Sequence, residues 1–98
     1  MVSEIKLSTR AERDFTNIIN YLEENWTLTE IRRFNEIFKK RIQTIKQFPY
    51  SYPSISNRQN LRKCVLIEKI TMYYKINESE IIIISLYDSR SNPSNLKS

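Results

Sequence analysis

The sequence predicts an α+β fold, in which an N-terminal strand and an antiparallel helical hairpin precede three C-terminal strands, in the order β-α-α-β-β-β. Two observations support it: apolar residues recur at helical spacing in the first half, and strand-like sequence fills the last third. Such segregation favours a mainly antiparallel sheet over a wound βαβ series. With 98 residues and 40% hydrophobic content, one domain over residues 1–98 is expected, with residues 91–98 as a polar tail.

The N-terminal residues predict a short strand followed by a helix. Val2, Ile5 and Leu7 are apolar, and a single lysine separates the last two, which suits a strand. Thr9, with Glu12 three residues later, has the pattern of a capping box and predicts a helix start. One side of this helix is apolar and carries Ala11, Phe15, Ile18, Ile19, Leu22 and Trp26.

A second helix is predicted almost immediately after the first. Asn25 is expected to end the first helix in the left-handed conformation, because the chain contains no glycine. Thr27 and Glu30 then form a second capping box. Its apolar positions are Ile31, Phe34, Ile37, Phe38, Ile42, Ile45 and Phe48. Pro49 forbids continuation, and the short connection makes the two helices antiparallel neighbours.

The stretch after the helices is predicted to contain one ordered loop and then three strands. Residues 49–60 combine two prolines and two tyrosines with Ser and Asn, which is typical of a loop. Leu61 to Pro93 then reads as two consecutive hairpins, with turns at residues 68–69 and 77–79.

The turn at residues 68–69 decides which side chains share a face. It places Arg62 opposite Lys75 and Cys64 opposite Tyr73. Two directly opposed cations repel each other unless an anion lies between them, so this register predicts an anion site. A slip by one residue would exchange the two faces.

The last strand is expected to be central in the sheet. The residues predicted on its helix side are Ile82, Ile84 and Leu86. The polar face is predicted to gather Arg62, Tyr73, Lys75, Ser85 and Tyr87. Four successive isoleucines from Ile81 to Ile84 indicate cover on both faces, so Ile81 and Ile83 are expected to be covered too, with a partner chain as one candidate.

The middle of the chain is strongly basic. Between residues 32 and 63, nine basic residues stand against one acid, Glu36. The nine are Arg32, Arg33, Lys39, Lys40, Arg41, Lys46, Arg58, Arg62 and Lys63. This charge favours an acidic partner, either nucleic acid or an acidic polypeptide. The alternative for Lys39, Lys40 and Arg41 is a solvated helix face.

Several classes of protein are disfavoured by composition. No apolar run approaches the roughly 18 residues that cross a bilayer, and no basic-then-apolar leader is seen, so a cytoplasmic chain without a membrane partner is expected. Cys64 is the only cysteine and cannot form an internal disulfide. No metal-ligand cluster, phosphate-binding glycine loop or Ser/His/Asp set can be assembled, so no metal and no cofactor are predicted.

Residues 4 to 93 resemble the RelE/ParE superfamily of bacterial type II toxins. The resemblance is carried by an ordered series: IKLSTRAERDFTNIINYLEENW, a second amphipathic helix ending at Pro49, then LRK, YYK and LYDSRSNP. Trp26 between the helices and Arg62 in LRK belong to this series. The ending Asp88-x-Arg90-x-Asn92-Pro93 completes it. Tryptophan at the helix junction is more similar to the ParE branch than to the RelE branch.

The resemblance implies a helical hairpin packed on a twisted sheet, and a function as the toxin of a type II toxin-antitoxin system. It also implies a cognate antitoxin, whose acidic segment covers the toxin in a hetero-oligomer. Two targets are implied: DNA gyrase for ParE-like members, or the translating ribosome, where RelE-like members cut mRNA. A third possibility is a degenerate module that binds its antitoxin but is not toxic.

The candidate functional residues depend on whether the protein is a nuclease or a gyrase inhibitor. A nuclease needs a base, a phosphate-binding cation and an acid. The resemblance makes Arg62 the candidate for the phosphate, because it matches the superfamily's arginine on this strand. The chain has no histidine, so Lys75 or Lys63 is the candidate for the base and Tyr87 or Tyr73 for the acid. A gyrase inhibitor needs only a complementary binding surface, for which the candidates are Arg62, Tyr73, Lys75, Tyr87 and Arg90.

Structural roles are the alternatives for the same residues. Arg62 can pair with Glu80 or Asp88 as an ordinary strand residue, and Asp88 with Arg90 can form an ion pair or turn at the C-terminus. Trp26 is expected to be a core anchor and Cys64 a small buried side chain. In the absence of an evident base, a binding surface is favoured over an active site.

Overall fold

The structure, a computed structural model, describes residues 4–67 and 69–89. Its elements in chain order are β1 (Glu4–Leu7), α1 (Thr9–Asn25), α2 (Leu28–Gln47), β2 (Ser54–Ile55), β3 (Arg58–Ile67), β4 (Ile70–Ile76) and β5 (Glu80–Asp88). The strands form one sheet in the order β1-β5-β4-β3-β2, in which only the β1–β5 pair is parallel. The predicted α+β fold is confirmed, and β2 is a short additional strand after the helices.

Helix α1 begins one residue before the predicted capping box. Its N-cap is Ser8, whose Oγ accepts a hydrogen bond from the Ala11 N–H at 3.0 Å. The same Oγ donates to the Ile84 carbonyl at 2.7 Å, and the Ser8 N–H donates to the Ile83 carbonyl at 2.9 Å. Ser8 therefore caps α1 and also joins the end of β1 to β5. The local sequence pattern cannot show this contact with a distant strand.

The two helices form the predicted hairpin around Trp26 and Thr27. Helix α1 ends at Asn25 as expected, but the left-handed conformation is wrong, since Asn25 is helical and the extended Trp26 follows it. The capping box of α2 is confirmed in both directions between Thr27 and Glu30. Trp26 is partly buried against the core, and the ring of Phe15 in α1 lies 4.9 Å from that of Phe38 in α2.

The segment predicted as a loop contains a tight hairpin. Strand β2 pairs with the start of β3, so that Ile55 lies opposite Arg58. The two residues between them, Ser56 and Asn57, have φ of 47° and 64°. Positive φ at both central positions is typical of a type I′ turn, which usually contains glycine. A chain without glycine therefore uses Ser-Asn here.

The predicted register of β3 on β4 is wrong by one residue. Ile67 does lie opposite Ile70, but a β-bulge between Val65 and Ile67 shifts every pair farther from the turn. Arg62 consequently lies opposite Tyr74, rather than opposite Lys75. A bulge inserts one unpaired residue into a strand, and because side chains alternate with period two, it exchanges the faces of all residues beyond it.

Strand β5 is central, as predicted, but it presents different isoleucines to the helices. Ile81 and Ile83 are fully buried, while Ile82 and Ile84 are half-buried, so these two assignments are wrong. Leu86 is buried on the helix side as predicted. A second bulge explains the change of phase, since Tyr73 pairs with Ser85 but Tyr74 pairs with Ile83. No partner chain is needed to cover Ile81 and Ile83, because the core of this chain covers them.

The two faces of the sheet differ in their surroundings. Along β4 every second residue is buried, and the residues between are half-buried or exposed. Helix α1 packs against β5 and α2 packs against β3, so the buried set faces the helices. The opposite face, here called the open face, includes Lys63, Val65, Thr71, Tyr73, Lys75, Ser85 and Tyr87. Leu61 and Ile82 flank Lys75 on this face, and Lys6 and Glu80 lie at its β1 end. No helix in the described residues is both long and apolar enough to span a bilayer.

Candidate interaction surface

The open face is assembled by cross-strand pairing of β3, β4 and β5. Tyr73 in β4 lies between Lys63 in β3 and Ser85 in β5. The adjacent row places Thr71 between Val65 and Tyr87. Directly opposed residues on one face of a sheet have Cβ atoms about 5 Å apart, so each row is a set of neighbouring side chains.

The rest of this face is cationic and partly aromatic. Lys63 and Lys75 are exposed, and neither has a carboxylate within salt-bridge distance among residues 4–67 and 69–89. The nearby Lys6 differs, because it pairs with Glu80 at 3.5 Å and with Glu4 at 3.7 Å. Tyr73 is half-buried between the strands. Unpaired cations beside phenol rings form a surface that suits an anionic partner.

Three of the predicted site residues lie together here. Tyr73, Lys75 and Tyr87 are on the open face, and Ser85 accompanies them as predicted. Lys63, which the sequence placed on the helix side, joins them because of the bulge in β3. Arg90 lies outside the described residues.

Arg62 does not belong to this surface, which corrects the predicted grouping. Its side chain is on the helix side of β3 and only 8% exposed. Nη1 donates to the carbonyl oxygen of Tyr52 at 2.8 Å and to that of Tyr50 at 3.4 Å. The guanidinium also lies 4.9 Å from the centroid of the Tyr50 ring. Arg62 thus holds residues 50–52 against the sheet, and the predicted anion site between Arg62 and Lys75 does not form.

The groups around Arg62 are buried and neutral. Tyr74 is fully buried, and its hydroxyl donates to the Pro49 carbonyl at 2.7 Å. Burial raises the pKa of Tyr74 well above its ordinary value. Burial also raises the pKa of the Cys64 thiol, although contacts with Tyr52 and Arg41 act in the opposite direction. Cys64 is only 1% exposed, so it is a buried small side chain as predicted.

The side chains on the open face limit the chemistry that this surface can support. In the described residues, the part of the open face around Tyr73 contains ammonium groups and hydroxyls, whereas the carboxylates of Glu4 and Glu80 lie at its β1 end and pair with Lys6. The chain has no histidine, so no imidazole is present. In the described part of the chain, no three His, Cys, Asp or Glu side chains are grouped so that they could hold a metal ion. The sequence offered Lys63 as a candidate base but assigned it to the helix side, and no local signal corrects this, because consecutive Arg62 and Lys63 fit either phase of the strand.

Comparison with known proteins gives the family. A family model described as the ParE toxin of the type II toxin-antitoxin system, parDE, matches residues 5–93. The chain belongs to the ParE toxin family. This membership confirms the resemblance to the RelE/ParE superfamily and establishes the chain as a toxin of a type II toxin-antitoxin system. No significantly similar sequence was found among curated proteins.

Solved structures share the ParE fold at low sequence identity. A chromosomal ParDE system from P. aeruginosa aligns with a TM-score of 0.72 and 12% identity, over 89% of this chain and 96% of that chain. A YoeB/ParE toxin from Agrobacterium tumefaciens gives 0.64 and 11%, over 88% and 98%. The E. coli DinJ-YafQ toxin-antitoxin complex gives 0.63 and 8%, over 93% and 97%. At such identities the likeness concerns the fold.

Proposed function

We propose that this ParE-family toxin arrests growth by binding DNA gyrase through the open face, and that an acidic segment of a cognate antitoxin neutralises it. The open face offers the exposed cations Lys63 and Lys75 beside the phenol rings of Tyr73 and Tyr87. Inhibition by binding requires a complementary surface and no catalytic set.

The burial of Arg62 is the observation that favours binding over catalysis. The superfamily resemblance made Arg62 the candidate that would hold a phosphate during RNA cleavage. In the structure its guanidinium donates to the carbonyl groups of Tyr50 and Tyr52, on the opposite side of the sheet from Lys75. A nuclease acting on the open face would therefore lack this arginine.

A ribosome-dependent endoribonuclease is the second candidate. One observation favours it: two lysines and two tyrosines share the open face, where a lysine can act as base and a tyrosine hydroxyl as acid. In that case the hydroxyl groups of Tyr73 and Tyr87 would be essential. In a binding surface the aromatic rings contribute most, so the hydroxyl groups would contribute little.

The partner of the proposed toxin is an antitoxin that forms a hetero-oligomer with it. Two similar structures are DinJ-YafQ toxin-antitoxin complexes, and another is a ParDE system. The net charge of +5 supports an acidic polypeptide as partner. Co-expression of the cognate antitoxin is expected to relieve the growth arrest that the toxin causes alone.

The test compares matched charge reversals in growth and gyrase assays. Lys63→Glu with Lys75→Glu reverses the open face, and Lys39→Glu with Lys40→Glu makes the same charge change on the exposed side of α2. We expect the first pair to weaken growth arrest and inhibition of gyrase supercoiling by at least about tenfold, since like charges across an interface are strongly unfavourable. The second pair should change both by less than about threefold.

Single hydroxyl deletions separate the two candidate targets. Tyr73→Phe and Tyr87→Phe should retain growth arrest if the toxin binds gyrase, with stalled gyrase-DNA complexes and intact mRNA. Removal of a general acid would instead lower mRNA cleavage by about 10²- to 10⁴-fold. Codon-phased mRNA breaks that disappear in either variant would contradict the gyrase proposal and establish the nuclease. Normal growth at confirmed expression of the wild-type chain, with tight antitoxin binding, would indicate the degenerate module.

A further inference from the structure

The outer side of α2 is a basic surface that gyrase binding through the open face does not use. Between residues 32 and 47, a fully described segment, eight side chains are exposed and none of them is apolar. They are Arg32, Arg33, Glu36, Lys39, Lys40, Gln43, Lys46 and Gln47. Five of the eight are cations and one is an acid, so much of the basic charge in the middle of the chain is displayed on one side of this helix.

Three of these cations form a line along the helix. Arg32, Lys39 and Lys46 follow one another at intervals of seven residues, which is about two helical turns or 10 Å. Two further exposed side chains, Lys40 and Gln43, lie beside this line. These five residues are here called the α2 stripe, and they extend over about 21 Å of the helix.

The cations of the α2 stripe have no carboxylate within salt-bridge distance in the described part of the chain. Glu36 lies one helical turn from both Arg32 and Lys40, the spacing at which ion pairs form on a helix, but it pairs with neither. The charged groups are therefore free to bind an anion. A bound anion would also reduce the repulsion between neighbouring cations.

The α2 stripe and the open face lie on opposite sides of the molecule. Helix α2 packs against β3, and its two fully buried side chains are Phe34 and Ile45. At 3.6 residues per turn, the α2 stripe is on the other side of the helix from these two residues. The open face is on the side of the sheet that the helices do not cover. A partner bound to one surface therefore leaves the other accessible.

We propose that the α2 stripe binds duplex DNA through its phosphate groups, without preference for sequence and as an activity separate from gyrase inhibition. Lysine and arginine side chains that contact phosphates release the counterions condensed on the duplex, which favours binding. The amide of Gln43 can donate a hydrogen bond to a phosphate oxygen. Because a duplex carries one negative charge per about 1.7 Å of its axis, a stripe about 21 Å long meets several phosphates.

The composition of the outer side of α2 selects duplex DNA over other anionic partners. Single strands bind by stacking their bases on aromatic rings, and none is exposed within residues 32–47, all of which are described. A flexible acidic polypeptide needs apolar anchors to offset its ordering, and a membrane surface needs an apolar helix face. The apolar face of α2 is buried against the sheet. A duplex is stiff and its phosphates are already arrayed, so cations alone are sufficient.

The salt dependence of DNA binding tests the inference. The probe is a short fluorescein-labelled duplex titrated with the full chain, and binding is followed by fluorescence anisotropy. Four phosphate contacts predict a slope of about −3.6 for the logarithm of the association constant against the logarithm of the salt concentration. The affinity should therefore fall about 100-fold between roughly 50 and 200 mM salt.

Matched neutral substitutions locate the contacts. Arg32→Gln with Lys39→Gln removes two phosphate contacts and should reduce the slope by about 2. Arg58→Gln with Lys69→Gln removes the same two residue types at exposed positions outside α2, and should leave the slope within about 0.5 of the wild type. Both pairs should unfold at the wild-type temperature and should inhibit gyrase supercoiling within about threefold of the wild type.

Removal of the acid beside the α2 stripe should have the opposite effect. Glu36→Gln removes a carboxylate that repels phosphate, so duplex binding should tighten by about threefold or more. Glu4→Gln makes the same charge change in β1, where Glu4 pairs with Lys6 at the end of the open face. Because the sheet and the helix separate Glu4 from the stripe, its effect should be less than about twofold.

Several results would overturn the inference. Absence of duplex binding at low salt would reject it, and equal losses of slope in both substituted pairs would mean that net charge alone attracts DNA. A slope reduced by Lys63→Gln with Lys75→Gln would place the duplex on the open face. Tighter binding of a single strand, of polyglutamate or of phosphatidylglycerol vesicles, lost with Arg32→Gln and Lys39→Gln, would assign the α2 stripe to that partner instead.

Failure of this inference is distinguishable from failure of the proposed function. A wild-type chain that inhibits gyrase supercoiling but does not bind the duplex would retain the proposed function and reject DNA binding by α2. A wild-type chain that binds the duplex with the expected slope but leaves supercoiling unchanged would reject gyrase inhibition and retain the inference.

Discussion

Two neighbouring cation–tyrosine pairs on the β3–β4 hairpin have opposite environments. Arg62 lies opposite Tyr74, and the next residue along β3, Lys63, lies opposite Tyr73. The first pair faces the helices, where Tyr74 is fully buried and Arg62 is 8% exposed. The second pair lies on the open face, with Lys63 exposed and Tyr73 half-buried.

The difference shows that residue type alone does not identify a binding residue in this protein. Arg62 and Tyr74 use their polar groups internally, on the carbonyl oxygens of Tyr52 and Pro49. Both side chains therefore hold the segment after α2 against the sheet. In the part of the chain that the structure describes, no hydrogen bond or ion pair ties the side chains of Lys63 and Tyr73 to the fold, which leaves them available to a partner. Changes to the first pair should lower stability, and changes to the second should lower function.

The largest expected effect distinguishes the two tyrosines. Tyr74→Ala removes a fully buried ring from the core and should lower the free energy of unfolding by about 3–5 kcal/mol. Tyr73→Ala, on the open face, should cost less than about 1 kcal/mol. Urea unfolding followed by circular dichroism measures both. Equal losses would mean that Tyr73 is as much a part of the core as Tyr74.

The two cations should differ by less than the two tyrosines. Arg62→Ala leaves the carbonyl oxygens of Tyr50 and Tyr52 without this donor and removes a side chain that is itself buried, so it should cost about 2–3 kcal/mol. Lys63→Ala should stay within about 0.5 kcal/mol of the wild type. Urea midpoints at a constant m value give the comparison. A stable Arg62→Ala variant that loses growth arrest would restore Arg62 as a functional residue.

Hydroxyl deletion should produce a smaller effect of the same sign. Tyr74→Phe keeps the ring and removes the hydrogen bond to the Pro49 carbonyl, so we expect a loss of about 1–2 kcal/mol. Tyr73→Phe should be within about 0.5 kcal/mol of the wild type. Thermal unfolding of the two variants beside the wild type is sufficient to measure this. If Tyr74→Phe is neutral, the bond to Pro49 does not stabilise the loop.

The smallest effect concerns pH, through Cys64 on the same face as Arg62. Burial raises the pKa of the Cys64 thiol above its ordinary value of 9.0, so the folded state holds this proton more tightly than the unfolded state. The stabilisation is complete below the unfolded pKa and is lost as pH rises through the folded pKa. Above about pH 9, stability should fall by up to about 1.4 kcal/mol per pH unit.

Cys64→Ala removes this titration and should flatten the alkaline slope. Urea unfolding at intervals from pH 7.5 to pH 10 measures the slope for the variant and for the wild type. Parallel curves would mean that the thiol does not contribute to the alkaline loss of stability. The alanine variant is expected to be less stable at every pH, because it loses a buried side chain, so the slope is the informative quantity.

Elements that depend on neighbouring residues were predictable from the sequence. The capping box of Thr27 and Glu30 and the end of α2 before Pro49 need only local chemistry, and both are observed. The start of α1 was misplaced by one residue, because Ser8 is selected by its hydrogen bond to Ile84, 76 residues away. The β2–β3 hairpin was missed, because its turn uses Ser56 and Asn57 instead of the glycine that usually marks it.

The candidate surface was predictable only in part. Tyr73, Lys75 and Tyr87 were placed together correctly. Along β4, and in β5 from Ser85 onward, the side chains alternate between the two faces of the sheet as predicted. Arg62 and Lys63 were assigned to the wrong faces, since the bulge after Val65 changes the phase of β3. A bulge is stabilised by packing across several strands, so the amino-acid sequence of one strand does not reveal it.

By itself, the sequence determined the order of the elements, the basic charge of the middle of the chain and the resemblance that the family match confirms. These properties depend on composition, short-range periodicity and an ordered series of residues. Only the tertiary structure decided that Arg62 is buried while Lys63 is exposed, and that Ser8 and Asp14 make hydrogen bonds to the edge of β5. The physical reason is that strand side chains alternate with period two, so one inserted residue reverses a face, and its position depends on contacts between residues distant in sequence.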